Sequence, residues 1–309
     1  MKTYKIDINS DFDVPNINLT IGNFDGVHVA HRKIIQILVE QSKEYKVDSA
    51  ILCFVPHPRQ YFTNNYNDFN IVNENLKIKL LNQLNVNHYI TLKFDYQLAS
   101  LSAHDFIHNI LCKKLKINYL TVGYDFKFGK NRQGDVDLLH KMSLKYDFKL
   151  SIVDQVINPN NLEIYSSSLI RKNIKMGNFE KVSLLLGRNW EMQGKVIYWD
   201  KRARKFNFPT ANILPSNLIR PKKGVYIILA RYDFNYFKGI ANFGDRPTVD
   251  GTKMLLEVHL FDFNQNIYGK DLTVEFLTFI RDEIKFSNFD QLTEQIQKDI
   301  KIAKNYHGI

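Results

Sequence analysis

LTIGNFDGVHVAHRKI, running from Leu19 to Ile34, passes from a short apolar run into a glycine-bearing turn and then into a helical pattern. A strand, a tight turn and a helix start make an anion-binding corner, because unpaired backbone N–H groups and the positive end of the helix dipole face outward there. His28 and His31 stand three residues apart where that helix should begin, so both imidazoles fall on one face. Two such histidines are either surface residues or a pair aimed at one phosphate chain. A zinc site would need further ligands, and none lies nearby at suitable spacing. Gly22 and Gly26 bracket Asp25, which favours close approach of backbone and ligand.

Outward from this stretch, strand and helix patterns alternate. Residues 48–54 read as a buried strand, closed by Val55-Pro56-His57-Pro58. Two prolines around a histidine form a stiff loop past a strand end, either a plain turn or the place where open α/β sheets bind ligands. A helix over 76–84, a strand over 88–92, an amphipathic helix over 103–114 with Phe106, Ile110 and Leu111 on one side, and a strand over 119–122 follow. This alternation predicts a parallel, doubly wound sheet. From Gly123 to Asp135 the chain interleaves aromatic, basic and glycine residues, including Asp125, Phe126 and Arg132. That loop either stacks a ring system and pairs phosphate, or is a glycine-rich hairpin. Ser166, Ser167 and Ser168 are natural caps for a helix over 169–176, with Gly177 beyond its end. Arg171 in the first turn is placed to meet a phosphate, unless the segment is capping alone.

The pattern changes near Leu186-Gly187-Arg188, where the domain boundary is placed: residues 1–186 and 187–309. Short strands over 191–198, 224–231, 237–241, 254–263 and 272–279 suggest an antiparallel barrel or sandwich. A helix over 288–303 closes the chain, with Phe289, Leu292, Ile296, Ile300 and Ala303 on one face. Phe208-Pro209-Thr210-Ala211-Asn212 is read as a loop whose threonine hydroxyl and asparagine carbonyl are hard oxygen ligands suited to Mg²⁺ beside nucleotide phosphates. Glu257, inside an apolar strand, is either on a solvent face or held at a site as a general base.

With 309 residues there is enough chain for two cores. The start lacks the apolar core of a secretory signal, and no apolar run approaches membrane-spanning length, so the expected location is cytoplasmic. Cys53 and Cys112 are too few for a disulfide framework or metal knuckle. A net charge of +10 fits either an anionic partner or a codon bias under which Lys, Asn, Ile, Phe and Tyr are abundant together. Its scatter along the chain argues against a nucleic-acid-binding arm. No membrane partner is expected, and self-association is left open.

Taken together, these segments resemble the bacterial bifunctional riboflavin kinase/FAD synthetase family over essentially the whole chain. The first half matches through Gly22, Phe24, Asp25, Gly26, His28 and His31, through Phe54, Pro56, His57 and Pro58, through the loop from Gly123 to Asp135, and through the Ser-Ser-x-x-Ile-Arg segment ending at Arg171. The second half matches through Pro209-Thr210-Ala211-Asn212, Arg220-Pro221, Gly224-Val225-Tyr226, Asn242-x-Gly244-x-Arg246-Pro247-Thr248, Glu257, and Arg281 with Glu283. The resemblance implies a Rossmann-like nucleotidyltransferase domain followed by an antiparallel β-barrel kinase domain with a C-terminal helix. It implies ATP-dependent phosphorylation of riboflavin to FMN, then adenylylation of FMN to FAD with release of pyrophosphate.

It also implies roles. Thr210 and Asn212 hold Mg²⁺ and phosphates, and Glu257 accepts the hydroxyl proton. His28, His31 and Arg171 stabilise the transferring phosphoryl group, while Asn23, Pro56 and Asp125 shape the flavin and nucleotide pockets. Asn242, Arg246 and Arg281 join the kinase site. Where the family carries glycine, this chain has Ala30, Trp199, Ala203 and Asn207; Ser168 replaces a threonine, and Leu169 a basic residue. Those changes leave two alternatives, retention of one activity alone or a non-catalytic flavin-binding protein.

Overall fold

The computed structural model describes residues 1–14, 16–158, 162–198, 210–215, 217–248 and 251–309. The chain forms two compact units, one of Met1–Tyr66 with Glu74–Ser166, the other of Asn67–Asn73 with Ser167–Ile309.

In the first unit, β1 (Lys2–Ile6), β2 (Ile17–Ile21), β3 (Asp48–Val55), β4 (His88–Lys93), β5 (Tyr119–Gly123) and β6 (Lys149–Val153) form one sheet in the order β1-β4-β3-β2-β5-β6. Every neighbouring pair is parallel, as the alternation predicts. Parallel strands are covered on both faces, which is why the central β2 is buried at every position, including Asn18 and Thr20. The chain leaves β2 for β3 on one side and later returns to β5 on the other. The order therefore reverses at β2, and the loops following β2 and β5 flank the crevice where such sheets bind ligands. Helix Val29–Tyr45 packs against this sheet through Ile35 and Leu38.

The helix expected over 103–114 is present, but from Phe106 to Lys114 it winds with the wider π pattern. Its end is closed by a Leu115 N–H to Ile110 carbonyl bond of 2.9 Å. Phe106, Ile107, Ile110 and Leu111 form its buried face.

In the second unit, β7 (Trp190–Ile197), β8 (Ala211–Ile213), β9 (Gly224–Tyr232), β10 (Asn235–Thr248), β11 (Gly251–Leu260) and β12 (Asp271–Arg281) form a closed barrel in the order β10-β11-β8-β7-β12-β9. All its pairs are antiparallel. At Gly224, φ is +145° and a side chain would meet the Arg281 carbonyl at 2.2 Å, so the close crossing of β9 and β12 requires glycine. The C-terminal helix Phe289–His307 is capped by Asn288 and lays Ala303 and Ile300 on Ile227, Ile240 and Phe261.

One expectation changes. Ala211 and Asn212 lie on a strand rather than in a loop; β8 has three residues, too few to produce an alternating pattern. The second compact unit takes in the residues from Ser167 onward, and helix Phe179–Leu186 packs into the barrel core. Its Phe179 ring lies 5.6 Å from Trp190 and 5.0 Å from Phe276. The strap Asn67–Asn73 also belongs to this unit, its Asn70 bridging Leu218 and its Ile71 carbonyl accepting the Trp190 indole N–H at 2.7 Å.

Candidate active sites

In the first unit the turn after β2 is stitched to β3. Gly22 N–H donates to the Leu52 carbonyl at 3.0 Å, the Cys53 thiol donates to the Gly22 carbonyl at 3.0 Å, and Phe54 N–H donates to Asn23 Oδ1 at 3.2 Å. Beyond it Phe24 (φ +46°), Gly26 (φ +89°) and Val27 (φ +42°) take the left-handed conformation, uncommon for a ring and a β-branched residue. Burial of Phe24 and Val27 among Ile35, Leu38 and Ile51 holds them there. The turn is thus a fixed cradle with Asp25 buried in it.

His28 caps the helix, its Nδ1 accepting from His31 N–H at 3.4 Å. A neutral ring accepting at Nδ1 carries its proton on Nε2, which is then a donor. The two imidazoles stack at 3.5 Å between centroids, and Phe24 meets His31 edge-on at 5.0 Å. The sequence pair is therefore brought together on one face. Ala30, in the first turn, has ordinary helical conformation, so the backbone there does not need glycine.

On β3's far end, Pro56 follows a cis bond, and His57 caps the short helix Pro58–Thr63 by accepting Arg59 N–H at 3.0 Å. After β5, the loop carrying Asp125, Phe126 and Arg132 is a hairpin closed between Phe128 and Gly134. Its glycines serve packing: a side chain at Gly129 (φ +73°) or Gly134 would strike Ala103 at under 3 Å. Phe128 is a core ring stacked on Phe126 at 5.4 Å. Asp135 caps the following helix through Leu138 N–H at 3.0 Å and pairs with Lys127, and these bonds hold its carboxyl below the usual range.

Ser167 and Ser168 open the helix Ser167–Met176 of the second unit, whereas Ser166 ends the first. Arg171 donates from Nε to the Phe69 carbonyl at 2.9 Å and lays its guanidinium 4.0 Å over the Phe69 ring.

In the barrel, register aligns Asn212 on β8 with Glu257 on β11, and Glu257 with Asn242 on β10. Arg246 reaches Glu257 Oε2 and, at 3.1 Å, Glu283 Oε1. Oriented to satisfy both neighbours, the Asn242 amide donates to the Gly224 carbonyl at 3.2 Å and accepts from Arg246. Burial alone would lower the pKa of Arg246, but the bonds and charges of Glu257 and Glu283 outweigh it and raise it. Glu257 is accordingly an ion-paired, partly exposed carboxylate whose Oε1 has no hydrogen-bond partner among the described residues. Asn212 Oδ1 is buried and likewise lacks one among the described residues. Thr210 lines a cavity of about 620 Å³ with Ala211, Val258, Leu260 and the segment from Phe263 to Tyr268. Glu257 and Asn212 are not in that lining.

Arg281 is tied to the C-terminal helix. Its Nε sits 3.0 Å from both carboxylate oxygens of Asp299, which is buried on the C-terminal helix. Asp299 was legible as an anomaly, because it falls on the Leu292, Ile296, Ala303 stripe where an apolar residue belongs. Pro209, Trp199, Ala203 and Asn207 lie outside the described residues.

The FAD synthetase family model matches residues 13–168 and the riboflavin kinase family model residues 186–307. A Haemophilus influenzae protein named bifunctional riboflavin kinase/FMN adenylyltransferase is 39% identical over 289 residues, covering 93% of each chain. This chain belongs to the bifunctional riboflavin kinase/FMN adenylyltransferase family. Proteins of that name from Buchnera aphidicola of Acyrthosiphon pisum (38%, 95% of this chain and 94% of that one) and Escherichia coli K12 (34%, 94% and 93%) align over a similar span. A crystal structure titled macrolide-efflux protein from Streptococcus pneumoniae superposes with a TM-score of 0.87 at 28% identity, covering 97% of this chain and 99% of that one. Among the described residues no helix is long and apolar enough to cross a membrane. Members of this bifunctional family use ATP. In the family's terms, the His28–His31 cradle falls within the FAD synthetase match, and the row Asn212–Glu257–Asn242 within the riboflavin kinase match.

Proposed function

We infer that this chain makes FAD from riboflavin in two ATP-dependent steps, phosphorylation of riboflavin to FMN and adenylylation of FMN to FAD. The observation that carries the reading is the presence of both family matches in order on one chain, each containing a built polar site. Residues 187–309 are assigned the phosphorylation and residues 1–186 the adenylylation.

In the kinase reaction the riboflavin 5′-hydroxyl oxygen bonds to the γ-phosphorus of ATP, and the bond from that phosphorus to the β–γ bridging oxygen breaks, releasing ADP. Glu257 takes the hydroxyl proton at Oε1, while Arg246 holds Oε2 and fixes the carboxylate plane. Asn242 fixes Arg246 in turn. The orphaned, buried Asn212 Oδ1 and the Thr210 hydroxyl are hard oxygen donors that fit a divalent cation, for which we assign Mg²⁺. Bound there with ATP, the cation neutralises phosphate charge.

In the adenylyl transfer an FMN phosphate oxygen bonds to the α-phosphorus of ATP, and pyrophosphate leaves. No covalent enzyme intermediate is needed. The His28 Nε2 donor, His31 and the helix start bind the charge that develops on the α-phosphate. Gly22, Phe24, Asp25 and Gly26 shape that cradle; Asn23, Pro56, His57, Asp125, Phe126 and Arg132 are assigned to the flavin and nucleotide pockets. Ser166, Ser167, Ser168 and Arg171 are assigned to phosphate binding, and Pro209 and Arg281 to the surroundings of the kinase site. The expected location is the cytoplasm, with small-molecule substrates and no nucleic acid.

Two variants test the pairing of site and reaction by chromatography of products. Glu257→Gln should abolish FMN formation while FAD still forms from supplied FMN, and His31→Ala should do the reverse. Loss of both activities in either variant would sink the two-site assignment.

A further inference from the structure

Cys53 lies on β3 next to the adenylyl-transfer cradle, and nothing in the proposed chemistry uses it. It is buried, shares a core with Phe24 and Val27, and donates its thiol proton to the Gly22 carbonyl at 3.0 Å. Burial pushes the thiol up to about 11, so it stays protonated and remains a donor. The Gly22–Asn23 peptide is trans, and in a trans peptide the carbonyl and the following N–H point in opposite directions. A carbonyl pinned toward β3 therefore turns the Asn23 N–H away from β3. That N–H has no partner among the described residues, while the Asn23 side chain is anchored separately to Phe54 N–H.

We propose that Cys53 is a positioning residue for adenylyl transfer: its thiol fixes the plane of the Gly22–Asn23 peptide, leaving the Asn23 N–H as a preset donor for a phosphate oxygen in the cradle. The inference rests on the adenylyl-transfer reading of this turn. Without the thiol the half-buried Gly22 carbonyl loses its partner on β3, and glycine offers little resistance to the peptide rotating toward another one. The donor is then no longer held in place when charge develops on the nucleotide.

The replacements valine and threonine separate positioning from packing. They have similar shape and both suit a strand, but threonine keeps an O–H donor where valine has a methyl group. Packing alone predicts that Cys53→Val equals or exceeds Cys53→Thr, because a buried hydroxyl costs more than a methyl. Positioning predicts the opposite order. With saturating ATP and FMN, Cys53→Val should lower kcat for FAD formation about fivefold and Cys53→Thr should stay within about twofold of the parent. FMN formation, carried by the other unit, should be unchanged, and far-UV circular dichroism with a urea titration checks that the first unit stays folded. A valine variant as active as the threonine variant would overturn the proposal. His31→Ala, run alongside, separates the two failures: unchanged FAD formation there would remove the adenylyl-transfer reading itself. If circular dichroism shows the first unit of Cys53→Val misfolded, Cys53→Ala, which also lacks the donor, takes its place in the same ranking.

Discussion

Removing Arg281 should destabilise the barrel unit. The Arg281 guanidinium contacts Asp299 through Nε, 3.0 Å from each oxygen, and through a terminal nitrogen at 2.6 Å. The Asp299 side chain is 2% exposed and that of Arg281 18%. Truncating one partner of a buried ion pair leaves an uncompensated charge and costs about 3–5 kcal/mol. Gln295 still donates to Asp299 Oδ1 at 3.0 Å, which places Arg281→Met near the lower end, about 3 kcal/mol. Asp299→Leu strands the more exposed partner, which water can reach, and should cost about 2 kcal/mol. The double variant removes both desolvation costs and should recover to within about 1 kcal/mol of the parent. Both tryptophans, Trp190 and Trp199, fall in the second half of the sequence, so indole fluorescence in a urea titration follows that unit selectively. The Arg281→Met midpoint should fall by about 1–2 M urea. If the double variant is as unstable as the sum of the singles, the pair is not the mutual dependence that the geometry describes. If Arg281→Met leaves the midpoint unchanged while abolishing FMN formation, Arg281 acts on substrate instead.

Asn212→Ala should raise the Mg²⁺ concentration for half-maximal FMN formation tenfold or more, without lowering the urea midpoint of the metal-free protein, since an unsatisfied buried carbonyl is removed. A lowered midpoint with an unchanged Mg²⁺ requirement would reassign Asn212 to packing. Alkaline titration gives a further check. The Cys53 thiol ionises near 9.0 when unperturbed and at about 11 when buried, so its contribution is fully present below pH 9 and lost as pH rises through 11. That loss amounts to roughly 3 kcal/mol, and Cys53→Thr should flatten the corresponding part of the stability curve. Identical alkaline profiles for parent and variant would place the loss elsewhere.

What was legible in the chain was what local spacing encodes. The run ending at Ile21, the glycines after it and the helix from Val29 carry their own signals, and the parallel sheet followed from alternating strands and helices. β8 was illegible because three residues cannot alternate, and its place is set by pairing with β11 and β7. Gly129 and Gly134 read as belonging either to a ligand loop or to a glycine-rich hairpin; the backbone of Ala103 beside Gly129, and the Phe128 ring with the Ala103 methyl beside Gly134, are contacts no local pattern records. Helix Phe179–Leu186 sits where the boundary was drawn, since its apolar face is directed to Trp190 and Phe276, distant in sequence. At the sites, residue types were readable but partners were not. Neither the Arg246 bridge between Glu257 and Glu283 nor the Arg281–Asp299 pair follows from spacing.

The strap Asn67–Asn73 makes the two units non-contiguous in sequence. A gene fragment beginning at Ser167 or at 187 lacks it, and so lacks the acceptors of the Trp190 indole N–H and the Ile219 N–H as well as the Asp68 carboxylate that pairs with Arg220 at 2.7 Å. Each would be left to water or to nothing. A barrel unit excised at one cut should therefore be less stable than one that keeps its strap. Recombination that exchanges the C-terminal part alone would pair a barrel with a foreign strap, so residues 67–73 and the barrel residues that grip them must change together.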